Sequence, residues 1–443
     1  MRRPGAAAPV VAGLMLLLAC GPPSTWSGLS PDHLRTFTVS ESGGQTCIAV
    51  DRGRQHCYEG VALPWIVFSP DSRSLSYPVR QGDGWLVVRD GERGPVVEGI
   101  GELRFSPDGD RLAYTAQQAG SWQVVVDGHF GRAFDSIASG TLRFSPDGAR
   151  LAFVAYRDEG VHVVVDGAPG PAHSGVAQLR FSLDGVSAAY LGRDPDAVRL
   201  FVEGREQARA DSIESFALGP DDDDIAFVTR TEGQAWVVRR GLRRGPYREV
   251  RDLVYRQSDG ALFYVARQPN GERLVVDGRD EPVYPSVDAP AFAREGTSWG
   301  YVAHDSTRSF VLIEGDAVDE RPWVGDLVFN PRGDRYAYLT RDLDGDVVVD
   351  NKGFTRFSMV VDGTLHFPGE GARWACLAGE LADRRLFVTV EGNSATRPFE
   401  WSTFLGVADG RVPDSPLSVV SAHALRAWVA VEARLIRSGE HAP

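Results

Sequence analysis

Short apolar runs, separated by polar turn residues, recur along this chain at a nearly constant interval. Three of them read Leu103-Arg-Phe-Ser-Pro-Asp-Gly-Asp-Arg-Leu-Ala-Tyr114, Leu142-Arg-Phe-Ser-Pro-Asp-Gly-Ala-Arg-Leu-Ala-Phe153 and Leu179-Arg-Phe-Ser-Leu-Asp-Gly-Val-Ser-Ala-Ala-Tyr190. With the apolar residue before Ser-Pro-Asp-Gly as anchor, the series is Leu29, Phe68, Phe105, Phe144, Phe181, Leu218, Tyr255, Phe292, Phe329 and Phe367, spaced 37 to 39 residues apart. A mostly aromatic residue stands nine positions after the anchor, as at Tyr77, Tyr114, Phe227, Tyr264, Tyr301 and Tyr338. An acidic-Gly doublet follows, as at Asp90-Gly91, Asp127-Gly128, Asp166-Gly167, Glu203-Gly204, Asp277-Gly278, Glu314-Gly315 and Glu391-Gly392. Two landmarks that keep phase through ten copies define an internal repeat.

Each copy predicts four short strands. The first is Leu-x-Phe, closed by Ser-Pro-Asp-Gly, in which Pro presets φ and Gly takes the positive-φ position. The second is Arg-Leu-Ala-Tyr. The third is a β-branched run such as Val124-Val125-Val126, closed by Asp127-Gly128, a hairpin signal. The fourth is shorter, as at Arg132–Ile137. Both faces of these strands carry apolar residues, and ordering the chain costs about 1–2 kcal/mol per residue. A lone 37-residue sheet cannot offset that cost, so the copies must stack on one another.

The repeat Phe-Ser-Pro-Asp-Gly-x-x-Leu-Ala-Tyr resembles the WD40-like repeat of TolB-type β-propellers, and the Val-Val-Val-Asp-Gly ending resembles a bacterial lineage of it. The resemblance covers residues 29 to about 404 and implies an all-β propeller of about ten four-stranded repeats, as one large ring or two smaller propellers. It specifies the blade and not an activity.

The first residues change the picture of where the chain works. Arg2 and Arg3 precede an apolar stretch, Ala6 to Leu18, too short to span a bilayer. It ends in Leu17-Leu18-Ala19-Cys20-Gly21, which resembles the lipobox of bacterial lipoproteins. That resemblance implies a leader over 1–19, acylation of Cys20, a short linker over 20–28, and a lipid-anchored place in the bacterial envelope, at the outer membrane. Export allows disulfides. Cys47 and Cys57 flank Asp51-Arg52-Gly53 symmetrically, and a hairpin loop with Gly53 left-handed sets them opposite each other. Cys376 lies mid-strand and reads as an inert core thiol. Past Phe404 the repeat fades into a closing segment over 405–443. There Leu425, Trp428, Val429, Leu435 and Ile436 predict an amphipathic C-terminal helix.

Charge narrows the partners. The net charge of −13 opposes a broad phosphate-binding surface and so argues against nucleic acid. No cofactor or metal motif is present: the nine His residues lack ligand spacing, and no Gly-rich phosphate loop follows a strand. Gly296-Thr-Ser298-Trp-Gly300 matches a nucleophile elbow but falls on a strand-to-strand turn, where that motif needs a strand-to-helix turn. Asp221 to Asp224 and Asp342 to Asp346 read as solvated acidic turns that lack the ligand pattern of a calcium loop. In propellers the first strand of each blade is innermost. Its middle residue is Arg104, Arg143 and Arg180 in three successive copies, then Ala217, Val254, Ala291 and Val328. These guanidiniums are the candidate ligand-binding residues, for an anion or an acidic loop. The bland alternative pairs each with an acid of the neighbouring blade, or has its stem merely pack. The two turn signatures share one end of the meander and barely vary, whereas the connections at the other end do. Binding is therefore expected at the variable end. The expected function is a non-catalytic envelope lipoprotein whose propeller surface binds a protein or glycan. The alternative is a glycan lyase or hydrolase working in the central funnel.

Overall fold

Each repeat folds as an antiparallel meander, and ten such sheets follow one another, each drawn from one contiguous stretch of the described residues. The computed structural model describes residues 25–31, 35–51, 53–158, 160–220, 224–367, 373–380, 385–390, 393–394 and 399–400. The expected leader, the lipid-bearing Cys20, and the closing segment and helix over 405–443 lie outside the described residues. The only helical element among them is a single 3-10 turn, Leu63–Trp65, so no described helix is long and apolar enough to cross a membrane.

Sheet 3 shows the plan. Its strands are Gly99–Phe105, Leu112–Gln118, Ser121–Val126 and His129–Phe134. The anchor pairs with the residue seven positions on, as in Phe68↔Leu75, Phe105↔Leu112, Phe144↔Leu151, Tyr255↔Leu262 and Phe329↔Tyr336. That register makes the segment after the anchor, Ser-Pro-Asp-Gly in sheets 3 and 4, the closing turn in every such copy. The doublet turn follows the same logic. Asp127 and Gly128 both have positive φ (50° and 82°), the requirement of a tight hairpin turn that follows the strand twist. The Asp127 carboxylate then accepts the Leu112 N–H at 2.8 Å, tying the end of the third strand to the start of the second. Asp90, Asp166 and Glu203 repeat this bond to Leu75, Leu151 and Ala188.

Side-chain alternation explains why the sheets stack. In Leu112–Gln118 the first five residues are all buried. Leu112, Tyr114 and Ala116 join a core with sheet 2, and Ala113 joins a core with sheet 4. Neither face is left for water, and each large side chain so covered contributes about 1.5–3 kcal/mol. The chain divides into two units, Met1–Ile213 and Glu214–Pro443. In the first unit, apolar clusters join sheets 1 to 5 pairwise in order. In the second, they join sheets 6 to 10 in the same way. Cys376 lies in the cluster between sheets 9 and 10, where burial pushes its thiol far above the ordinary value.

Three expectations need correction. The first sheet begins at Thr25, inside the stretch assigned to the 20–28 linker, because Thr25–Leu29 pairs along its whole length with Thr36–Ser40. The fourth strand ends at Phe134. Ser136–Ile137 pairs instead with Ala155 and Tyr156 and opens the next sheet. In the first hairpin it is Asp51 (φ 52°), not Gly53, that is left-handed. The reason is positional: Asp51 stands where the acid of the doublet stands elsewhere, and its carboxylate accepts the Thr36 N–H at 2.7 Å.

Cys47 pairs directly with Cys57 across this hairpin, and the two are bonded. The bridge closes a loop of 10 residues, which restricts the unfolded chain by about 2–3 kcal/mol. Cys57→Ser is therefore expected to destabilise the first unit by that amount. Urea unfolding with and without reductant reads it: only the wild type responds to reductant.

Candidate functional site

The end of each sheet that carries the two invariant turns is built for neighbouring sheets. In Ser106-Pro-Asp-Gly109 the Ser106 hydroxyl donates to Asp108, and Asp108 accepts the Asp110 N–H at 3.2 Å. Asp71, Asp147 and Asp184 do the same in their turns, and the serine bond is the main cause that holds these carboxyls below the usual range. Asp71, Asp108 and Asp147 also face the next turn. A Cβ on Gly109 would sit 2.5 Å from Asp71 Oδ1, and one on Gly185 would sit 2.7 Å from Asp147 Oδ1.

An arginine six residues after the anchor completes the link. Arg111 bonds Asp127 of its own doublet at 3.2 Å. It also donates to the Gly148 and Ala149 carbonyls of the next turn, at 3.3 and 2.7 Å, and lies 5.5 Å over the Phe144 ring. Arg35 and Arg150 make the equivalent contacts with the next sheet's turn and with Phe68 and Phe181. In two of the sheets where this arginine is replaced, another substitutes. Sheet 2 has Ser74 there, and Arg89, at the end of the third strand, reaches the Gly109 carbonyl and the Phe105 ring. Sheet 7 has Ala261, and Arg256 in the serine position reaches the Thr297 carbonyl.

Sheet 6 reverses the charges. Asp224 takes the arginine's place and Arg240 the doublet acid's, and they still pair at 2.9 Å. Asp224 is also chelated by Arg239 at 2.6 and 3.0 Å and accepts the Tyr255 hydroxyl at 2.8 Å. Its side chain is only 4% exposed. The reading of this segment as a solvated acidic turn is therefore wrong for Asp224, while 221–223 lie outside the described residues. The same correction holds for Asp346, which is buried and accepts both Arg341 (3.0 Å) and the Val360 N–H of the next sheet (2.7 Å). Among the described residues, no three His, Cys, Asp or Glu are placed to hold a metal.

Sequence reasoning missed a row of buried polar residues in the second unit. Glu272, Ser309 and Asp346 occupy one repeat position in three successive sheets. Glu272 takes Arg251, Arg267 and the Val287 N–H. Ser309 bonds His304 Nδ1 at 2.9 Å, and His304 Nε2 bonds Asp288 at 3.1 Å. This last chain has the membership of a Ser-His-Asp triad. Ser309 is 2% exposed, however, and lies on the strand Ser309–Ile313, away from any helix. The equivalent pairs in the flanking sheets are Arg267–Glu272 and Arg341–Asp346, which link strands. The repeat thus reads the triad as a strand-linking network within one sheet. The signal was available at 37-residue spacing, in polar residues where Trp85 and Trp122 stand in earlier copies. The elbow-like Ser298 is in the turn between Ala291–Phe292 and Trp299–His304, with strands on both sides.

The three candidate arginines occupy one register position, each opposite a fully buried alanine: Arg104↔Ala113, Arg143↔Ala152 and Arg180↔Ala189. Their surroundings differ. Arg104 pairs with Glu102 of its own strand at 2.9 Å, and the second Glu102 oxygen accepts the Gly140 N–H. The expectation that an acid of the neighbouring blade neutralises each arginine therefore fails here: the acid is two residues away on the same strand. In the next two copies that acid is replaced by Thr141 and Gln178. Arg180 donates to Gln178 at 2.8 Å, and burial, then the charge of Arg143, pull its guanidinium below its ordinary value. The Arg143 side chain is exposed, and it makes no hydrogen bond or ion pair with the described residues. All three lie two residues before the serine of the Ser-Pro-Asp-Gly or Ser-Leu-Asp-Gly turn, hence at the end of the sheets that carries these turns.

These sheets, their register and their serial packing define a β-propeller repeat protein. No family model matches the sequence, and no curated protein does. Solved structures similar to it include the propeller domain of the trilobed protease of Pyrococcus furiosus, described as having an open velcro topology. That match has 13% identity and a TM-score of 0.27, and covers 56% of this chain and 91% of that one. TolB of Acinetobacter baumannii matches at 14% identity and TM-score 0.24, over 57% of this chain and 60% of that one. The Dos1 propeller matches at 11% and 0.31, over 65% and 81%. Likeness at this level carries no functional argument.

Proposed function

We propose that this chain is a non-catalytic binding scaffold of the bacterial envelope, held there by lipid on Cys20, and that a protein partner meets the variable end of its sheets. One observation carries the reading: the two ends of each sheet are used differently. At the invariant end, acids and arginines are committed to the next sheet, as in Arg111 to Gly148 and Ala149. At the other end, the hairpins differ from copy to copy, as at Ala119-Gly120, Pro195-Asp196, Pro269-Asn270 and Leu343-Asp344. Their backbones are pinned from below, for example by Glu98 on Ala119 and by Glu59 on Gly82. Leu343 is fully exposed. Varied side chains on a fixed frame are what recognition uses.

A glycan lyase or hydrolase needs paired carboxylates or a metal facing a substrate. The buried carboxylates of Asp224, Glu272 and Asp346 serve turns and strand links, which supports the binding reading. A photo-crosslinking residue placed at Leu343 or Asp196 in the full chain tests it in the native envelope. Crosslinks to a discrete protein are expected from these positions and not from Gly128 at the other end. Equal crosslinking from both ends, or turnover of envelope polysaccharide by the purified chain, overturns the proposal.

A further inference from the structure

We infer that the junction of sheets 7 and 8 is a preformed receptor for an arginine side chain of a partner protein, lined by Glu281, Asp316 and the Tyr301 hydroxyl. This surface lies beside the acidic-Gly turns and is separate from the variable hairpins. The preceding junction shows what the position is built for. There Arg244, four residues after Arg240 of the sheet 6 turn, reaches across to Asp280 of sheet 7 at 2.7 Å. Its guanidinium lies by the next doublet turn, where a Cβ on Gly278 would sit 3.7 Å from it. Burial opposes its charge, but the bonds to Asp280 and Tyr247 prevail and hold it above its ordinary value. Glu281 occupies the same position 37 residues on, with the sign reversed. It too meets the next doublet turn, since a Cβ on Gly315 would lie 3.1 Å from Glu281 Oε2. That turn carries Glu314 and Asp316, so acid faces acid. Burial, then the charge of Asp316, push the Glu281 carboxyl above its ordinary value. A salt-bridge position that becomes a like-charge contact is a local departure from what stability asks of it.

The tyrosine of the second strand gives an independent sign. In other copies the fourth strand of the preceding sheet answers its hydroxyl: Tyr77 meets Tyr58 at 3.3 Å, Tyr264 meets Tyr247 at 3.2 Å, and Tyr338 donates to Asp319. Each of those junctions also holds an arginine. Arg93 lies 5.8 Å over the Tyr58 ring, Arg244 lies beside Tyr247, and Arg321 bonds Asp319 at 2.8 Å. Tyr301 is 0% exposed and packs on sheet 7 in the cluster that Tyr284 borders, yet its hydroxyl has no partner. The Tyr114 and Tyr190 hydroxyls are unpartnered too, but they lie against Gly94 and Gly170 rather than against acids. At Tyr301, acceptors are gathered without the donor that the other junctions contain. A guanidinium supplies it, with a fork for the two carboxylates, an N–H for the phenol and a flat face for the Tyr284 ring. Asp316 is exposed and opens the outermost strand of sheet 8, so the site is reached from solvent.

The test uses the full chain and a fluorescent, end-blocked alanine peptide with a single arginine, with the citrulline counterpart and calcium ions as the other arms. Fluorescence anisotropy is read at physiological ionic strength, which screens diffuse attraction to the acidic chain. The arginine peptide is expected to bind about tenfold more tightly than the citrulline peptide, equivalent to one charge-assisted contact. Glu281→Gln with Asp316→Asn removes that advantage. Glu41→Gln with Asp110→Asn, which removes the same charge elsewhere, leaves it unchanged. Glu281→Arg restores the residue of the preceding copy, so it is expected to abolish binding and to raise the urea midpoint by filling the receptor from within. Equal binding of the two peptides, unchanged affinity in the Glu281 and Asp316 double variant, or a Glu281→Arg chain that still binds or unfolds at lower urea overturns the site. Displacement of the peptide by an equal concentration of calcium overturns it in favour of a metal. A Leu343→Ala variant leaves this binding unchanged, so failure here and failure of the hairpin-face reading are told apart.

Discussion

Gly109→Ala is expected to destabilise the first unit by about 3 kcal/mol, while Gly128→Ala costs about 1 kcal/mol. Both glycines have nearly the same backbone, φ 83° and 82°, so both variants incur the left-handed penalty of roughly 1–2 kcal/mol. They differ in what the new methyl meets. Around Gly128 there is nothing within 4 Å. At Gly109 the Cβ would lie 2.5 Å from Asp71 Oδ1 and 2.7 Å from its Cγ, so the preceding turn must move, adding an overpacking cost of about 1–3 kcal/mol. Asp71 is not free to swing away, since it holds the Ser69 hydroxyl and the Arg73 N–H. Urea unfolding of both variants measures the gap. Adding Asp71→Ala to Gly109→Ala should recover part of the loss, a coupling that independent sites do not show. Equal costs for the two glycines would mean that the turns do not touch from sheet to sheet.

Asp224→Ala is expected to cost about 3 kcal/mol in the second unit, the low end of the range for breaking a buried ion pair. The low end applies because Arg240 is well exposed while the acid is not. Removing the carboxylate leaves Arg239 facing Tyr255 and leaves the Tyr255 hydroxyl, on a residue only 2% exposed, without its acceptor. Asp224→Asn keeps an acceptor for Tyr255 and should cost less. Acid should mimic the substitution. The hydrogen bond from Arg239 is the main cause that holds Asp224 below the ordinary carboxylate value. Its contribution is therefore complete above pH of about 4 and is lost as the pH falls through the folded value. Chemical unfolding of wild type and Asp224→Asn at neutral and acid pH checks the sign: the two should converge in acid.

Much of this was legible because the repeat is its own alignment. The anchor, the turns and the doublets set the register of the sheets before any coordinates, since Pro, Asp and Gly at fixed offsets leave few backbone choices. The arginine row was legible for the same reason. Strand ends were not: Arg132–Ile137 looks continuous in sequence, but Asp135 is where the chain crosses between sheets. Nor was the charge reversal at Asp224 and Arg240, because a run of aspartates reads as solvent-facing until its partner sixteen residues on is seen. Gly53 misled for a related reason, since Gly is the default left-handed residue and Asp51 fills that place through its bond to Thr36.

The central claim is that each sheet is held by its neighbour through these turns and shared cores. Amide hydrogen exchange of Arg111→Ala tests it most directly. The account predicts that protection falls not only around Leu112 but also in the next sheet's turn, Ser145–Leu151, where Arg111 donates to Gly148 and Ala149. Loss confined to sheet 3, with the Ser145–Leu151 amides exchanging as in the wild type, would contradict it.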